Sequence, residues 1–161
     1  MGKPISIIMG SKSDLDVVSE AIKLLKQFKA GFEVKVLSAH RTPDELSQYV
    51  ETAVKGGVKV FIAAAGGAAA LAGVVAAHTT LPVIGVPIET KSLRGLDSLL
   101  STAQMPAGVP VACMSIGKSG AKNAAIFALE ILGIKDKSIG AKLFKHKKSM
   151  RSAIKKIRIK I

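Results

Sequence analysis

The chain has 161 residues, of which 48% are hydrophobic, 22% charged and 4% aromatic, and its formal net charge is +13. This length and composition predict one globular domain with a substantial core, and they exclude intrinsic disorder and collagen-like repeats. Charged residues, Gly and Ala interrupt the apolar stretches, so no transmembrane helix is expected, and the first residues lack the pattern of a signal peptide. We therefore expect a cytoplasmic protein without a membrane partner.

Short apolar runs alternate with amphipathic segments over the first 133 residues. The apolar runs are rich in β-branched residues and predict five strands buried on both faces, at Ile5–Met9 and at residues 34–37, 58–64, 83–86 and 111–114. The segments between and after them predict helices near residues 14–29, 43–55, 69–78, 96–101 and 118–132. Such alternation predicts an α/β fold, a three-layer αβα sandwich with a parallel sheet, of the flavodoxin-like or Rossmann-like type.

Capping residues mark the beginning of two of these helices. Ser13 is the expected N-cap of the first helix. Before the second helix, Thr42 is the expected N-cap, with Pro43 at the first helical position and Glu45 at the capping-box position. The residues before each cap are therefore expected in loops at strand ends.

The positive charge is concentrated at one end of the sequence. Residues 1–133 contain 13 Lys and Arg against 10 Asp and Glu, whereas residues 134–161 contain 11 against 1. Large apolar residues recur there at helical spacing: Ile139, Leu143, Met150, Ile154, Ile157 and Ile161. We expect an α/β catalytic domain over residues 1–133 and a basic amphipathic helix over 134–161 that packs on the body or on a neighbouring subunit. Binding to RNA or to a membrane surface is the alternative for this segment.

Three polar loops follow the first three predicted strands, at residues 10–14, 38–42 and 65–69. In a parallel sheet of this type, ligands bind outside the carboxyl ends of the strands, where the strand order reverses. A strand order of 2-1-3-4-5 would bring the three loops together at one crevice. In the third loop, Gly66 and Gly67 have no Cβ, so the backbone can approach a flat ligand closely.

The first two loops contain groups that suit a phosphorylated sugar. The hydroxyls of Ser11 and Ser13, with free amides at the start of a helix, can bind an anion. Arg41 can add a bidentate, permanently charged contact. Asp14 can accept hydrogen bonds from ribose hydroxyls. The alternative is that Ser13 and Asp14 only cap a helix.

His40 is the one side chain in these loops that can exchange a proton near neutral pH. His78 falls inside a predicted helix and His146 inside the basic segment, so neither is expected at the site. No spacing of His, Asp or Glu resembles a metal site, and the single Cys113 lies in an apolar run where a buried, inert thiol is expected. A P-loop is excluded, because Ala112 stands where that motif needs glycine.

Short motifs are spread over the body of the chain. They are MGSKSD at residues 9–14, SAHRTP at 38–43, AGGA at 65–68, LPVIGVP at 81–87, DSLLS at 97–101, QMP at 104–106, IGK at 116–118 and NA at 123–124. In this order they resemble the family of N5-carboxyaminoimidazole ribonucleotide mutase, also described as the catalytic subunit of phosphoribosylaminoimidazole carboxylase. Residues 134–161 show no motif that matches this family.

The resemblance implies a homo-octamer that acts in purine (IMP) biosynthesis. The implied reaction moves a carboxylate from N5 of a ribonucleotide substrate to C4 of the imidazole by decarboxylation and recarboxylation, without ATP, biotin, metal or another cofactor. It also implies that His40 shuttles the proton. Substrate contacts are implied for Ser11, Ser13, Ser38 and Arg41 at the phosphate, for Asp14 at the ribose, and for Gly66, Gly67 and Ala68 at the base and carboxylate.

The chain departs from the family pattern in the third loop. The family commonly has histidine and proline where this chain has Ala70 and Ala72, and that histidine contacts substrate in the family. Two alternatives to the mutase remain open. One is the related carboxylase, which uses free CO2 and aminoimidazole ribonucleotide and tends to carry Lys at the position of Arg41. The other is an inactive flavodoxin-like binding module whose basic tail binds nucleic acid, a partner that we do not expect.

Overall fold

A computed structural model describes residues 2–159 and contains one five-stranded parallel sheet. The strands are β1 (Ile5–Met9), β2 (Phe32–Val36), β3 (Val60–Gly66), β4 (Val83–Ile88) and β5 (Ala112–Cys113). Their order is β2-β1-β3-β4-β5, and all four pairings are parallel. This is the order under which the sequence analysis expects the three polar loops to meet, and it reverses between β1 and β3.

Helices cover both faces of the sheet. They are α1 (Leu15–Gln27), α2 (Pro43–Lys55), α3 (Leu71–Ala77), α4 (Leu96–Ala103), α5 (Gly117–Gly133) and α6 (Lys137–Lys156). α1, α5 and α6 contribute to the core on one face, and α2 and α3 contribute to the core on the other. The three-layer αβα sandwich is thus the observed architecture.

The three inner strands β1, β3 and β4 supply side chains to both cores, because successive residues of a strand point to opposite faces. In β1, Ile7 packs in the core that contains Leu25 of α1 and Ala124 of α5. The next residue, Ile8, packs in the core that contains Leu46 of α2. Burial on both faces explains why β1, β3 and β4 are nearly continuous apolar runs.

Two outer strands differ from the sequence prediction. β2 lies at the edge of the sheet, begins and ends earlier than predicted, and includes Glu33 and Lys35, so it is not buried on both faces. β5 is the other edge strand and forms only a two-residue ladder. Cys113 within it is half-buried rather than buried, and partial desolvation raises the pKa of its thiol. An edge strand has a neighbour on one side only, so less of it is covered.

The cap predicted for the first helix is wrong, whereas Thr42 and Pro43 take their predicted positions at the start of α2. Ser11 caps a 3₁₀ turn over Lys12–Asp14 that leads into α1, and Asp14, not Ser13, occupies the N-cap position of α1 itself. Thr42 occupies the N-cap position of α2, but its side chain makes no capping hydrogen bond. Its Oγ1 instead donates to the Ser38 carbonyl oxygen at 3.1 Å and accepts from the Ser38 amide at 2.9 Å. The hydroxyls of Ser11 and Thr42 therefore fix the backbone of two of the loops that form the predicted crevice.

The basic segment forms α6, whose first half packs on the body. Asp136 caps the helix by accepting hydrogen bonds from the amides of residues 138 and 139. Leu143 is buried in the core on the α1 and α5 face, and Ile139 packs against that core. Met150 and Ile154 are 49% and 70% exposed, so the predicted stripe is covered only at its start. Ile161 lies outside the described residues. No helix within residues 2–159 is long and apolar enough to span a membrane.

Candidate active site

A cavity of about 670 Å³ lies at the carboxyl edge of the sheet, beside the point where the strand order reverses. Residues from the loops after β1, β2, β3 and β4 form its wall. All nine residues predicted from the sequence line it: Ser11, Ser13, Asp14, Ser38, His40, Arg41, Gly66, Gly67 and Ala68. The parallel sheet thus brings three loops that are distant in sequence to one crevice.

The first loop is held in shape by its own hydroxyls and carboxylate. The Ser11 amide donates to Asp14 Oδ2 at 3.0 Å, and the Ser11 Oγ accepts from the Ser13 amide at 3.3 Å. The Ser13 hydroxyl donates to Ser11 Oγ at 2.9 Å. These contacts close a reciprocal capping box around the turn. Two serine hydroxyls therefore stand side by side at the cavity wall, at the amino end of the turn that leads into α1.

Asp14 is the buried carboxylate of this loop, with 7% of the residue exposed. Burial raises the pKa of its carboxyl above the ordinary value, although hydrogen bonds from Ser11 and Ser13 and the charge of Arg41 oppose that effect. A carboxylate in such a partly dehydrated position forms stronger hydrogen bonds than one in water. It is therefore well suited to accept from hydroxyl groups of a bound sugar.

The second loop is tied to the first by Arg41. Its Nη2 donates to the Gly10 carbonyl oxygen at 2.9 Å, across the gap between the loops. The Ser38 Oγ accepts from the Arg41 amide at 3.2 Å and from its Nε at 3.4 Å. The guanidinium therefore has a defined position, with further N–H groups left for an anion. His40, the preceding residue, is exposed on the cavity wall.

The third loop follows β3 and turns sharply. Gly67 has a φ of +71°, a left-handed conformation in which a side chain would be strained. A Cβ on Gly66 would lie 3.4 Å from Ile88 Cβ and 3.6 Å from Thr90 Cγ2, so this residue packs against the end of β4. The backbone of residues 66–68 itself forms this side of the cavity.

The cavity also includes residues that the sequence prediction missed. The end of β4 and the loop after it contribute residues 88–90, and Leu71 at the start of α3 also lines the wall. Ala70, which departs from the family pattern, lines the same cavity. The rule that selected the first three loops could have found the fourth, because β4 lies directly beside β3 in the predicted strand order.

The other two histidines lie elsewhere, as predicted. His78 ends α3, and its Nδ1 is 3.3 Å from Ser47 Oγ. His146 lies on α6, with its ring centroid 5.5 Å from that of Phe28. Within residues 2–159, no group of three or more His, Cys, Asp and Glu side chains is arranged to hold a metal ion. Of the three histidines, His40 alone is placed to exchange protons with a molecule in the cavity.

Comparison with known proteins extends the similarity beyond the loops. Residues 4–153 match the family described as AIR carboxylase. The chain belongs to the AIR carboxylase family. This match extends into the basic segment, which shows no short family motif, because it runs through most of α6. The family assignment therefore covers both the α/β body and the helix that packs on it.

Relatives in the AIR carboxylase family are similar over nearly their full length. A protein from Pyrococcus abyssi named N5-carboxyaminoimidazole ribonucleotide mutase is 57% identical over 94% of this chain and 86% of that protein. Proteins of the same name from Saccharolobus solfataricus and Bacillus subtilis are 54% and 51% identical, covering 96% and 93% of this chain and 97% and 93% of their own. The crystal structure of Treponema denticola PurE matches with a TM-score of 0.85 at 28% identity, over 93% of this chain and 92% of that one.

Proposed function

We propose that this protein is an N5-carboxyaminoimidazole ribonucleotide mutase, an isomerase of purine (IMP) biosynthesis that forms 4-carboxyaminoimidazole ribonucleotide. The observation that carries this proposal is the convergence of nine sequence-predicted residues on one cavity. The cavity combines hydroxyls, a guanidinium, a carboxylate and an imidazole, which are the groups that a phosphorylated ribose and a proton transfer require. The names of the relatives at 51–57% identity agree with it.

The proposed reaction needs one proton to be delivered and one to be removed. Protonation of N5 lets the bond between N5 and the carboxyl carbon break, which releases CO2 inside the cavity. C4 of the imidazole then forms a bond to this CO2, and loss of the proton on C4 restores the aromatic ring. His40 delivers the first proton and removes the second, so the enzyme ends each turnover in its starting protonation state.

Substrate binding is assigned to the two loops that Arg41 joins. Arg41, Ser11, Ser13 and Ser38 hold the phosphate, and Asp14 accepts from the ribose hydroxyls. The hydrogen bond from Arg41 Nη2 to Gly10 supports this assignment, because it preorganises the cation before the ligand arrives. The backbone of residues 66–68 holds the base and the carboxylate. With Ala70 in place of the second histidine, His40 alone carries the proton in this chain.

We also propose that the protein works as a cytoplasmic homo-octamer. Exposed apolar side chains on and before α4 support an assembly: Leu93 precedes the helix, Leu96 begins it and Leu100 lies one turn further along, and each is about half exposed. An apolar patch of this kind is unfavourable in water and is typical of an interface. Light scattering should give eight times the 16.7 kDa chain mass. Replacing Leu96 and Leu100 by Glu should lower that mass, and an unchanged mass would place the interface elsewhere.

An assay of the purified chain with two alternative substrates tests the function. N5-carboxyaminoimidazole ribonucleotide, supplied without ATP or added metal, should give the 4-carboxy product at a rate well above the enzyme-free reaction. Product formed only from aminoimidazole ribonucleotide and bicarbonate would identify the carboxylase instead. No turnover of either substrate, together with a salt-sensitive gel shift of RNA, would favour the binding module.

A further inference from the structure

The motif DSLLS at residues 97–101 lies on α4, behind the third loop of the cavity. Ser98 within it is fully buried. The Gly67 amide donates to Ser98 Oγ at 2.9 Å, and the Ser98 hydroxyl donates to the Ile88 carbonyl oxygen at 2.7 Å. One buried hydroxyl thus connects the loop after β3 to the end of β4.

Two neighbours of Ser98 hold the same region. The Ser101 hydroxyl lies 3.2 Å from the Gly67 carbonyl oxygen and 2.6 Å from the Asp97 carbonyl oxygen. Thr90 Oγ1, at the cavity wall, donates to the Asp97 carboxylate, with distances of 2.9 and 3.0 Å to its two oxygens. α4 therefore holds both loops that form this side of the cavity.

The contacts of α4 fix the orientation of the peptide groups around Gly67. Its N–H and C=O both have partners on α4, and its φ of +71° is one that glycine adopts readily. The hydrogen bond from the Gly67 amide to the buried Ser98 hydroxyl is partly shielded from water, so rotating that peptide plane would be costly. Because the Gly67 amide donates to Ser98, it is not free to bind a molecule in the cavity.

We propose that Ser98 is a positioning residue that, with Ser101, keeps the wall at residues 66–68 closed around the CO2 released in the reaction. This inference rests on the proposed function. CO2 is uncharged and a weak hydrogen-bond acceptor, so its retention depends on how tightly the wall surrounds it rather than on a charged partner. A loosened wall would let CO2 escape before C4 is carboxylated, leaving aminoimidazole ribonucleotide as the product.

The experiment compares Ser98→Ala with Thr102→Val in the purified full chain. Thr102 is a matched control, since it is also buried on α4 but its hydroxyl donates to the Ser98 carbonyl oxygen at 2.8 Å, within the helix. Three quantities are measured with N5-carboxyaminoimidazole ribonucleotide: kcat, KM, and aminoimidazole ribonucleotide released per 4-carboxy product, corrected for enzyme-free decay. Circular dichroism and the thermal midpoint report on folding.

For Ser98→Ala we expect kcat to fall about tenfold and the released fraction to rise about fivefold or more, as a displaced reacting group would produce, while KM changes less than about threefold. Thr102→Val should keep the wild-type released fraction even where its midpoint falls equally. Equal released fractions in the two variants would overturn the proposal.

A second variant, Ser101→Ala, covers the case in which Ser98→Ala does not fold. Ser101 is exposed, so its loss does not leave a cavity in the core. A raised released fraction in this variant supports the proposal, and a wild-type fraction contradicts it. Failure of the proposed function itself is distinguishable, because the wild-type chain would then form no 4-carboxy product.

Discussion

At the scale of single residues, His40 carries the proposed chemistry. Replacing His40 by Asn should leave fold and assembly intact and lower kcat by about a hundredfold or more, which is the usual contribution of general acid-base catalysis. His78→Asn is the matched control, because His78 lies at the end of α3 and contacts Ser47. Steady-state kinetics of both variants test whether His40 is the catalytic acid and base. Unchanged turnover in the His40 variant would end its catalytic assignment.

Arg41 should act mainly on binding, because the phosphate is remote from the bonds that change. Loss of a charge-assisted contact costs about 1.5–3 kcal/mol, so Arg41→Ala should raise KM by about tenfold or more. Arg41→Lys should recover only part of that, since Lys keeps the charge but cannot reach both Gly10 and an anion as a planar fork does. The corresponding unphosphorylated nucleoside should bind wild type weakly. Equally tight binding of the nucleoside would contradict the phosphate assignment.

The ionised carboxylate of Asp14, which we assign to ribose binding, should lower the free energy of unfolding. Burial raises the pKa of its carboxyl, so the native state holds the proton more firmly than the unfolded chain does. The ionised group therefore costs stability above its native pKa, and this cost disappears as the pH falls through that pKa. Asp14→Asn keeps an acceptor for the Ser11 amide and should have a thermal midpoint at pH 7 equal to or above wild type.

The pH dependence separates this effect of Asp14 from a packing effect. Any gain in midpoint for Asp14→Asn should shrink in acid, because wild-type Asp14 then becomes neutral as well. KM should rise in the variant, since an amide offers one acceptor oxygen in place of two. A large loss of midpoint at pH 7 would show that the carboxylate stabilises the loop more than its burial destabilises it.

At the scale of elements, Tyr49 of α2 joins the helix to β1 and β2. Its hydroxyl donates to Glu33 Oε1 at 2.6 Å and lies 2.7 Å from the Oγ of Ser6, which is fully buried. Burial and the hydrogen bond to Glu33 raise the pKa of this phenol, so the contact persists across neutral pH. Tyr49→Phe leaves the Ser6 hydroxyl unpaired and should lower the free energy of unfolding by about 1–3 kcal/mol.

A double-mutant cycle tests this link by chemical denaturation. Ser6→Ala combined with Tyr49→Phe removes both hydroxyls, so the double variant should lose less stability than the sum of the single losses. Additive losses would mean that the two hydroxyls do not depend on each other. Activity should stay close to wild type in all three variants, since neither residue lines the cavity.

The elements also show what the sequence could and could not predict. The placement of the loops at one edge followed from the βα rhythm, because parallel strands all point their carboxyl ends to one edge, whereas the rhythm is compatible with more than one strand order. The exposure of β2 did not, since its five residues, FEVKV, become an edge strand only through the position of their partners. Likewise, the contact between Ser98 and Gly67 joins residues 31 apart, and no local pattern around DSLLS indicates it.

At the scale of the whole molecule, α6 has two parts with different surroundings. Its first half is tied to the body: Lys142 Nζ donates to the Phe28 carbonyl oxygen at 2.9 Å, and Lys147 pairs with Glu130 at 2.9 Å. Ile154 in its second half and Ile157 directly after the helix are 70% and 61% exposed. Apolar side chains exposed on a helix are unfavourable in water, so we expect another subunit to cover them.

Two truncations distinguish whether α6 packs on the body of its own chain or on a neighbouring subunit. Truncation after Gly133 removes Leu143, which is buried in the core, and should lower the thermal midpoint and reduce solubility or oligomer size. Truncation after Met150 removes only the exposed half and should leave the midpoint nearly unchanged while reducing the mass measured by light scattering. If both truncated chains keep their mass and midpoint, and the full chain alone binds RNA in a salt-sensitive way, α6 is a nucleic-acid arm and the packing hypothesis is wrong.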